Sequence, residues 1–241
     1  MALKIVIVIA LLAAEFVFAT LFCRAGWPKS TKKGFFFKMA ASSVFLISGI
    51  LCGIVSKNES YRNLIIAGLA LGWIGDVFMT FDPFLVNKSK AAKAAAGVMG
   101  GLAFLAGHIF YIIAFFMMLY PGSSKTVCAL VIMIAVLMGV VIVIKSALRV
   151  KLGKLAPAVA IYAVMLLTML SSAWLLAVTG GESAPFGAAA AAGPMLFVVS
   201  DFTLALKLFA GKRFDTLGVR RIYIYTYFFA QMLIAGSIAL I

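Results

Sequence analysis

The sequence predicts an all-α integral membrane protein built as a bundle of eight transmembrane helices. Of its 241 residues, 65% are hydrophobic, and the mean hydropathy is +1.18. Only 12% are charged, which is too few to cover a water-soluble domain of this length. The apolar residues also fall into eight runs of about 20 residues, the length that crosses a bilayer as a helix.

Short connections separate the apolar runs, so residues 1–241 are predicted to form a single transmembrane domain. The first run has one lysine before it, nearly a full span of length and no small-x-small cleavage site, which favours a helix over a signal peptide. The predicted spans are 3–23, 36–56, 63–82, 98–120, 124–144, 155–179, 184–206 and 222–241.

The distribution of lysine and arginine predicts the orientation, because positively charged loops remain in the cytoplasm. Of the 21 basic residues, 17 lie in one set of alternate connections and 4 lie in the other set, namely Lys4, Lys57, Arg62 and Lys125. We therefore expect both termini to be extracytoplasmic and the loop 207–221 to be cytoplasmic.

The formal net charge of +14 indicates contact with membrane lipids. The basic residues lie almost entirely in the short gaps between spans, and no aromatic residues alternate with them as in a nucleic-acid surface. We therefore predict lipid headgroups as partners, no nucleic acid, and a location in a bacterial inner (cell) membrane. The pattern predicts no oligomeric state.

Two aspartates lie inside predicted spans, Asp76 in the third and Asp201 in the seventh. Each is six residues from the predicted cytoplasmic end of its span, a depth of ~9 Å at the rise of an α-helix. A carboxylate in hydrocarbon costs several kcal/mol, so both positions indicate a function. A structural carboxylate bonded across helices is the alternative. Glu15 is a third acid within a span and is predicted to be structural.

Spans three and seven resemble each other around these aspartates. Gly68 precedes Asp76 by eight residues, as Gly193 precedes Asp201, and a small residue comes directly before each acid. This match indicates a 4+4 parallel internal repeat, which would bring the two carboxyls face to face. Because two carboxyls in one dry site resist simultaneous ionisation, one could stay protonated as an acid while the other acts as base or cation stabiliser.

Further polar side chains lie in the same half of the predicted bundle, which favours a cavity open to the cytoplasm. On the eighth span Tyr227 and Gln231 share one face, where an unpaired hydroxyl or amide would be costly. The predicted supporting residues are His108, Tyr111, Tyr162, Ser200, Tyr227 and Gln231. Four glycines in or directly before the fourth span are predicted to allow close helix packing: Gly97, Gly100, Gly101 and Gly107.

The residue inventory excludes several membrane enzyme classes. His108 is the only histidine, so di-iron oxygenases and zinc amidases lack their ligand sets. No P-loop, Gly-x-Gly-x-x-Gly or Gly-x-Ser-x-Gly pattern is present. We predict no cofactor and no metal; a metal site made by Asp76, Asp201 and His108 remains an alternative.

Five segments resemble, in order, the motifs of the YhhN-like lysoplasmalogenases. These are Leu-Gly-Trp-Ile-Gly-Asp-Val-Phe-Met at 71–79, Gly-Leu-Ala-Phe-Leu-Ala-Gly-His-Ile-Phe-Tyr-Ile at 101–112, Tyr-Ala-Val-Met at 162–165, Phe-Val-Val-Ser-Asp at 197–201 and Thr-Tyr-Phe-Phe-Ala-Gln at 226–231. The resemblance covers about residues 68–235. It implies a multi-pass membrane hydrolase that cleaves the vinyl ether of a lysoplasmalogen to a fatty aldehyde and a glycerophospho-alcohol.

The implied reaction needs one acid and one anionic partner, for which Asp76 and Asp201 are the candidates, with the assignment between them open. The lysophospholipid is then the substrate, and loop lysines and arginines would attract its phosphate. Two other classes remain open: a proton-coupled transporter, which also uses buried acids and repeats, and a non-catalytic lipid-binding protein.

Overall fold

A computed structural model describes residues 2–25, 27, 29–85, 89–119, 124–148, 150, 152–179 and 183–241. Within these ranges eight helices are long and apolar enough to cross a membrane, and no strand is present. They are α1 (Ala2–Ala25), α2 (Lys32–Gly53), α3 (Glu59–Met79), α4 (Lys90–Met118), α5 (Ser124–Ala147), α6 (Ala156–Val178), α7 (Ala184–Phe209) and α8 (Leu217–Ser237). The predicted fold class is confirmed, and the chain is an integral multi-pass membrane protein.

Every predicted span overlaps one of these helices. Some residues used in the sequence predictions lie outside the described ranges: Tyr120, the predicted end of the fourth span, and three basic residues of the cytoplasmic set, Lys88, Arg149 and Lys151.

Five helices begin at a side-chain cap, which explains where the chain turns back into the bundle. In each case a side-chain oxygen accepts a hydrogen bond from the backbone N–H three residues later, and this pairs one of the N–H groups that a helix start leaves free. The capping residues are Thr31, Asn58, Ser89, Ser183 and Thr216.

The helix ends make the two aspartates inequivalent. Helix α3 ends at Met79, so Asp76 lies in its last turn. Helix α7 continues to Phe209, eight residues beyond Asp201. The predicted equal distance of the two acids from their helix ends is therefore wrong, because α3 stops before the 3-10 turn Asp82–Phe84 and α7 runs past Lys207.

The helices contact one another in the same order in both halves. Helix α1 packs on α2, α2 on α3 and α3 on α4, and the same sequence recurs from α5 to α8. Between the halves, α4 packs on α6, and α8 packs on α1, α2 and α3. Exchanging the halves converts the α4–α6 contact into the α2–α8 contact, but the contacts of α8 with α1 and α3 have no counterpart of comparable extent, so the packing agrees with the predicted 4+4 parallel repeat only in part.

Glycines bring the backbones of α3 and α4 into close approach. A Cβ added at Gly107 would lie 3.1 Å from the Gly68 carbonyl oxygen, and one at Gly100 would lie 2.7 Å from Met79 Cγ. The packing role predicted for these two glycines is confirmed. It is wrong for Gly97 and Gly101, where an added Cβ meets no atom within 4 Å.

Helix α7 is continuous through Pro194. Proline inside a helix usually kinks or interrupts it, because proline lacks the N–H that a helix interior uses. The neighbouring α8 packs closely there, since a Cβ at Gly193 would lie 2.7 Å from Ile234 Cγ1. Support from an adjacent helix is a known reason for tolerance of proline within a span.

Candidate functional site

Asp76 is the centre of a buried polar cluster in the last turn of α3. Its side chain is 1% exposed. Oxygen Oδ2 accepts hydrogen bonds from Ser42 Oγ at 2.5 Å and from the Tyr227 hydroxyl at 2.8 Å. Oxygen Oδ1 forms an ion pair with Lys38 Nζ at 2.8 Å. Two hydroxyl donors and an ammonium group therefore surround this carboxyl and take the place of water around it.

Helix α2 supplies two of these partners, which the sequence analysis did not assign to the site. Lys38 and Ser42 are one helical turn apart, so they face α3 together. Lys38 is one of the 17 basic residues from which the cytoplasmic side is predicted. The overlooked signal was its position inside the predicted span 36–56, where a lysine itself requires a partner.

Helix α8 connects Asp76 to α4 through three predicted site residues. The Tyr111 hydroxyl donates to Gln231 Oε1 at 2.8 Å. Gln231 Nε2 in turn donates to the Tyr227 hydroxyl at 3.4 Å, and Tyr227 donates to Asp76. A continuous chain of hydrogen bonds therefore runs from Tyr111 to the carboxylate.

Small residues of α3 leave the space that this chain occupies. A Cβ added at Gly72 would lie 2.8 Å from Gln231 Nε2. A Cβ at Gly68 would lie 2.3 Å from Tyr111 Cε1, closer than such atoms approach in proteins. The glycines at 68 and 72 thus admit the large polar side chains of α4 and α8.

Asp201 has a different and simpler environment. The Tyr162 hydroxyl of α6 donates to its Oδ2 at 2.5 Å. Asp201 takes part in no ion pair within the described ranges. The adjacent Ser200 donates to the Tyr223 carbonyl at 2.9 Å and therefore joins α7 to α8. The structure brings Tyr162 to Asp201 but directs Ser200 to the backbone of α8.

His108 is buried among aromatic rings. It is 1% exposed, and its ring centroid lies 4.7 Å from that of Phe197 and 5.4 Å from that of Tyr162. Neither ring nitrogen bonds to another side chain in the part of the chain that the structure describes, and the Phe104 carbonyl, one helical turn earlier, is the backbone acceptor beside the ring. A ring nitrogen without a side-chain partner is free to bond to a bound molecule.

The two aspartates have separate hydrogen-bond partners, which ring contacts connect. The Tyr227 ring, which bonds Asp76, lies 5.4 Å from the Phe197 ring, and Phe197 contacts His108. His108 contacts Tyr162, which bonds Asp201. A series of four rings in contact therefore connects the partner of one acid to the partner of the other. Each acid is bonded to its own tyrosine, and the face-to-face arrangement expected from the repeat stays a prediction.

Glu15 of α1 is a third buried acid, with 1% exposure. Both of its carboxyl oxygens lack a hydrogen-bond partner among the described residues. No bond or ion pair of Glu15 that would support the predicted structural role is present in the described ranges.

The described side chains offer no set of metal ligands. No three histidine, cysteine, aspartate or glutamate side chains converge within the ranges that the structure covers. Asp76, Asp201 and His108 in particular do not form the metal site that the sequence left as an alternative. Two surface depressions, one at 57–60 with Ile241 and one at 112–117, border neither aspartate.

Comparison with known proteins identifies the family. The family model described as the YhhN family matches residues 33–238, which include α3 to α8 and nearly all of α2. No curated protein and no solved structure matches the chain. Because the match covers most of the sequence, the chain belongs to the YhhN family, as the ordered motifs indicated.

Proposed function

We propose that this YhhN-family protein is a lysoplasmalogenase, a membrane hydrolase that cleaves the vinyl ether of lysoplasmalogens to a fatty aldehyde and a glycerophospho-alcohol. Family membership is consistent with this type of activity. The observation that carries the proposal is the buried carboxylate of Asp76, held by Lys38, Ser42 and Tyr227 inside a membrane bundle. We place the protein in a bacterial inner membrane with both termini outside and the site in the cytoplasmic half.

Vinyl-ether hydrolysis requires a proton donor and a nearby negative charge. Protonation of the outer alkene carbon converts the ether into an oxocarbenium ion, to which water adds. The resulting hemiacetal then breaks its carbon–oxygen bond to release aldehyde and alcohol. Glycoside hydrolysis passes through a similar cation and uses a pair of carboxyl groups.

We assign the anionic role to Asp76 and the proton-donating role to Asp201. Asp76 has an ammonium and two hydroxyl partners, which favour its ionised form. Asp201 has one hydroxyl partner and no ion pair among the described residues, so it is the better carrier of a proton. After water attack, Asp76 accepts the released proton, and a proton must return to Asp201 before the next turnover.

The rings between the two acids fit the same chemistry. Phe197, His108 and Tyr162 present aromatic faces and edges between Asp76 and Asp201. Aromatic faces attract cations, so these rings would favour the oxocarbenium ion over the neutral ether. The unpaired nitrogens of His108 would position water, and Tyr111 and Gln231 would hold Tyr227 in place.

The decisive experiment incubates the purified protein with three lysolipids of equal chain length and follows the products. The vinyl-ether lipid should release fatty aldehyde. The saturated alkyl-ether lipid should bind and inhibit without reacting, because it has no alkene carbon to protonate. The 1-acyl lipid should survive, because ester cleavage needs a nucleophile and oxyanion donors. Fatty acid release at a comparable rate would instead indicate a lysophospholipase.

A proton-coupled transporter is the second candidate. It is favoured by the buried, unpaired side chains of Glu15 and His108, since ionisable groups without partners inside a membrane are typical of proton pathways. The continuity of α7 through Pro194 argues against it, because transporter sites commonly use broken helices. No reaction with any of the three lipids, together with proton uptake by protein-containing vesicles, would favour transport.

A further inference from the structure

Three basic side chains from different helices surround two aromatic rings at the end of the bundle that contains Asp76. Lys38 Nζ lies 5.6 Å from the centroid of the Phe22 ring, and Arg220 Cζ lies 4.8 Å from the same centroid. Arg220 Nη1 donates to the Tyr223 hydroxyl at 3.2 Å, and Lys207 Nζ lies 5.6 Å from the Tyr223 ring. We call Lys38, Lys207 and Arg220 the basic cluster.

The positive charge of the basic cluster exceeds that of its acidic partners. Lys38 is paired with the buried Asp76. Lys207 lies 3.7 Å from a carboxyl oxygen of Asp215, whose side chain is 55% exposed, so this pair is weak. Arg220 forms no ion pair within the described ranges. An excess of positive charge at a membrane surface attracts an anion.

The basic cluster is already held in place. Arg220 is 7% exposed and donates to the carbonyl oxygens of Cys23 at 3.3 Å and Phe22 at 3.4 Å, at the end of α1. These bonds fix the guanidinium, whose remaining N–H groups can bind an anion. The side chains of Lys38 and Lys207 are 13% and 22% exposed, so a ligand can reach them. A binding site that is ordered in advance loses little entropy when its ligand binds.

We propose that the basic cluster binds the phosphate group of the lysophospholipid substrate. An arginine fork flanked by two ammonium groups suits phosphate oxygens. The three carbons of glycerol separate the phosphate from the ether oxygen, and Lys38, a member of the cluster, is paired with Asp76. A phosphate on the cluster therefore places the vinyl ether near Asp76. This inference rests on the proposed function and names the part of the substrate that orients it.

Binding without turnover gives the first test. A saturated alkyl-ether lysophospholipid should bind the purified protein in a phosphate-free detergent about tenfold more tightly than the matching alkylglycerol, which lacks the phosphate. This factor corresponds to one charged hydrogen bond. Equal affinity for the two lipids would overturn the inference. Binding of inorganic phosphate to the protein, with no difference in affinity between the two lipids, would overturn the assignment of the site to a lipid phosphate.

The second test replaces one lysine of the cluster. Lys207→Gln should lower the preference for the phosphate-bearing lipid over the alkylglycerol several-fold, because one of the three charged contacts is lost. Lys93→Gln is the matched control, because Lys93 is an exposed lysine in the first turn of α4 outside the cluster. An unchanged preference in Lys207→Gln, or an equal loss in both variants, would overturn the inference.

The outcomes for binding and for turnover are separable. If the vinyl-ether lipid releases no aldehyde but phosphate-dependent binding still requires Lys207, the hydrolase proposal fails and the phosphate site stands. If aldehyde is released at equal kcat/KM from lipids with and without phosphate, the hydrolase proposal stands and the phosphate site fails.

Discussion

Lys38 and Asp76 form an ion pair between the second turn of α2 and the last turn of α3, with 2.8 Å between Nζ and Oδ1. The carboxyl of Asp76 is 1% exposed and the lysine side chain 13%. A carboxylate buried in this way is tolerated because a cation and hydroxyl donors replace its water. The ion pair therefore sets the charge of the site and fixes α2 against α3.

Replacing Lys38 by methionine should destabilise the protein and reduce turnover. The change leaves Asp76 as a buried charge without a cation, which costs on the order of 3 kcal/mol in the free energy of unfolding. Thermal unfolding in detergent measures this loss. When Lys38→Met is combined with Asp76→Asn, it should lower the free energy of unfolding much less, because no buried charge is then left without a cation. An equal cost in both backgrounds would show that the two side chains are not energetically coupled.

The variants Asp76→Asn and Asp201→Asn should each lower the rate of aldehyde release on the order of 10²-fold or more, the scale of a positioned acid or base. Asparagine keeps the shape of aspartate but neither donates a carboxylic proton nor carries the negative charge. The matched control is Asp82→Asn, an exposed carboxyl in the 3-10 turn after α3. Near-normal activity of either site variant would remove that residue from the mechanism.

Replacing Gly72 by alanine should reduce activity more than stability. The new Cβ would lie 2.8 Å from Gln231 Nε2, the end of a flexible side chain, so Gln231 moves and the chain from Tyr111 to Asp76 is broken. Gly101→Ala is the control, since its Cβ meets no atom within 4 Å. We expect a several-fold loss of kcat in the first variant and none in the second. Unchanged kcat in Gly72→Ala would mean that Gln231 does not support Tyr227.

The orientation predicts that a reporter active only in the cytoplasm stays silent when it is fused after Ile241. The reason is the distribution of basic residues, 17 on one side and 4 on the other. The same reporter inserted in the loop between α7 and α8 should be active and serves as the control. A strong signal from the fusion at Ile241 would place the site in the opposite half of the membrane.

The fold could be predicted from the sequence largely because hydropathy and length determine which segments cross a bilayer. All eight predicted spans correspond to helices. The helix ends were less predictable, because hydropathy does not show where a helix stops within or beyond an apolar run. Helix α3 ends at Met79, three residues after Asp76, and α7 ends at Phe209, eight residues after Asp201, so the equal distances predicted for the two acids were wrong.

Part of the site could also be predicted, because Asp76, Tyr227 and Gln231 are polar residues inside spans. Their partners were harder to identify. Lys38 lies near a span end, where a lysine usually marks topology, and only the packing of α2 on α3 reveals its pairing with Asp76. The ring contacts that connect Tyr227 to Tyr162 likewise depend on how the helices pack, which spacing along the chain does not encode.

The contacts of Arg220 have a consequence for biogenesis. This residue of α8 donates hydrogen bonds to carbonyl groups in the last turn of α1. Tyr227, two turns further along α8, donates one to Asp76. A chain that leaves the ribosome from its first helix to its last therefore carries an open helix end and an incompletely solvated charge until the final span enters the membrane. Helix α8, the last span to be synthesised, supplies the missing hydrogen bonds to the end of α1 and to Asp76. A nascent chain truncated before α8 should therefore be recognised by membrane quality control.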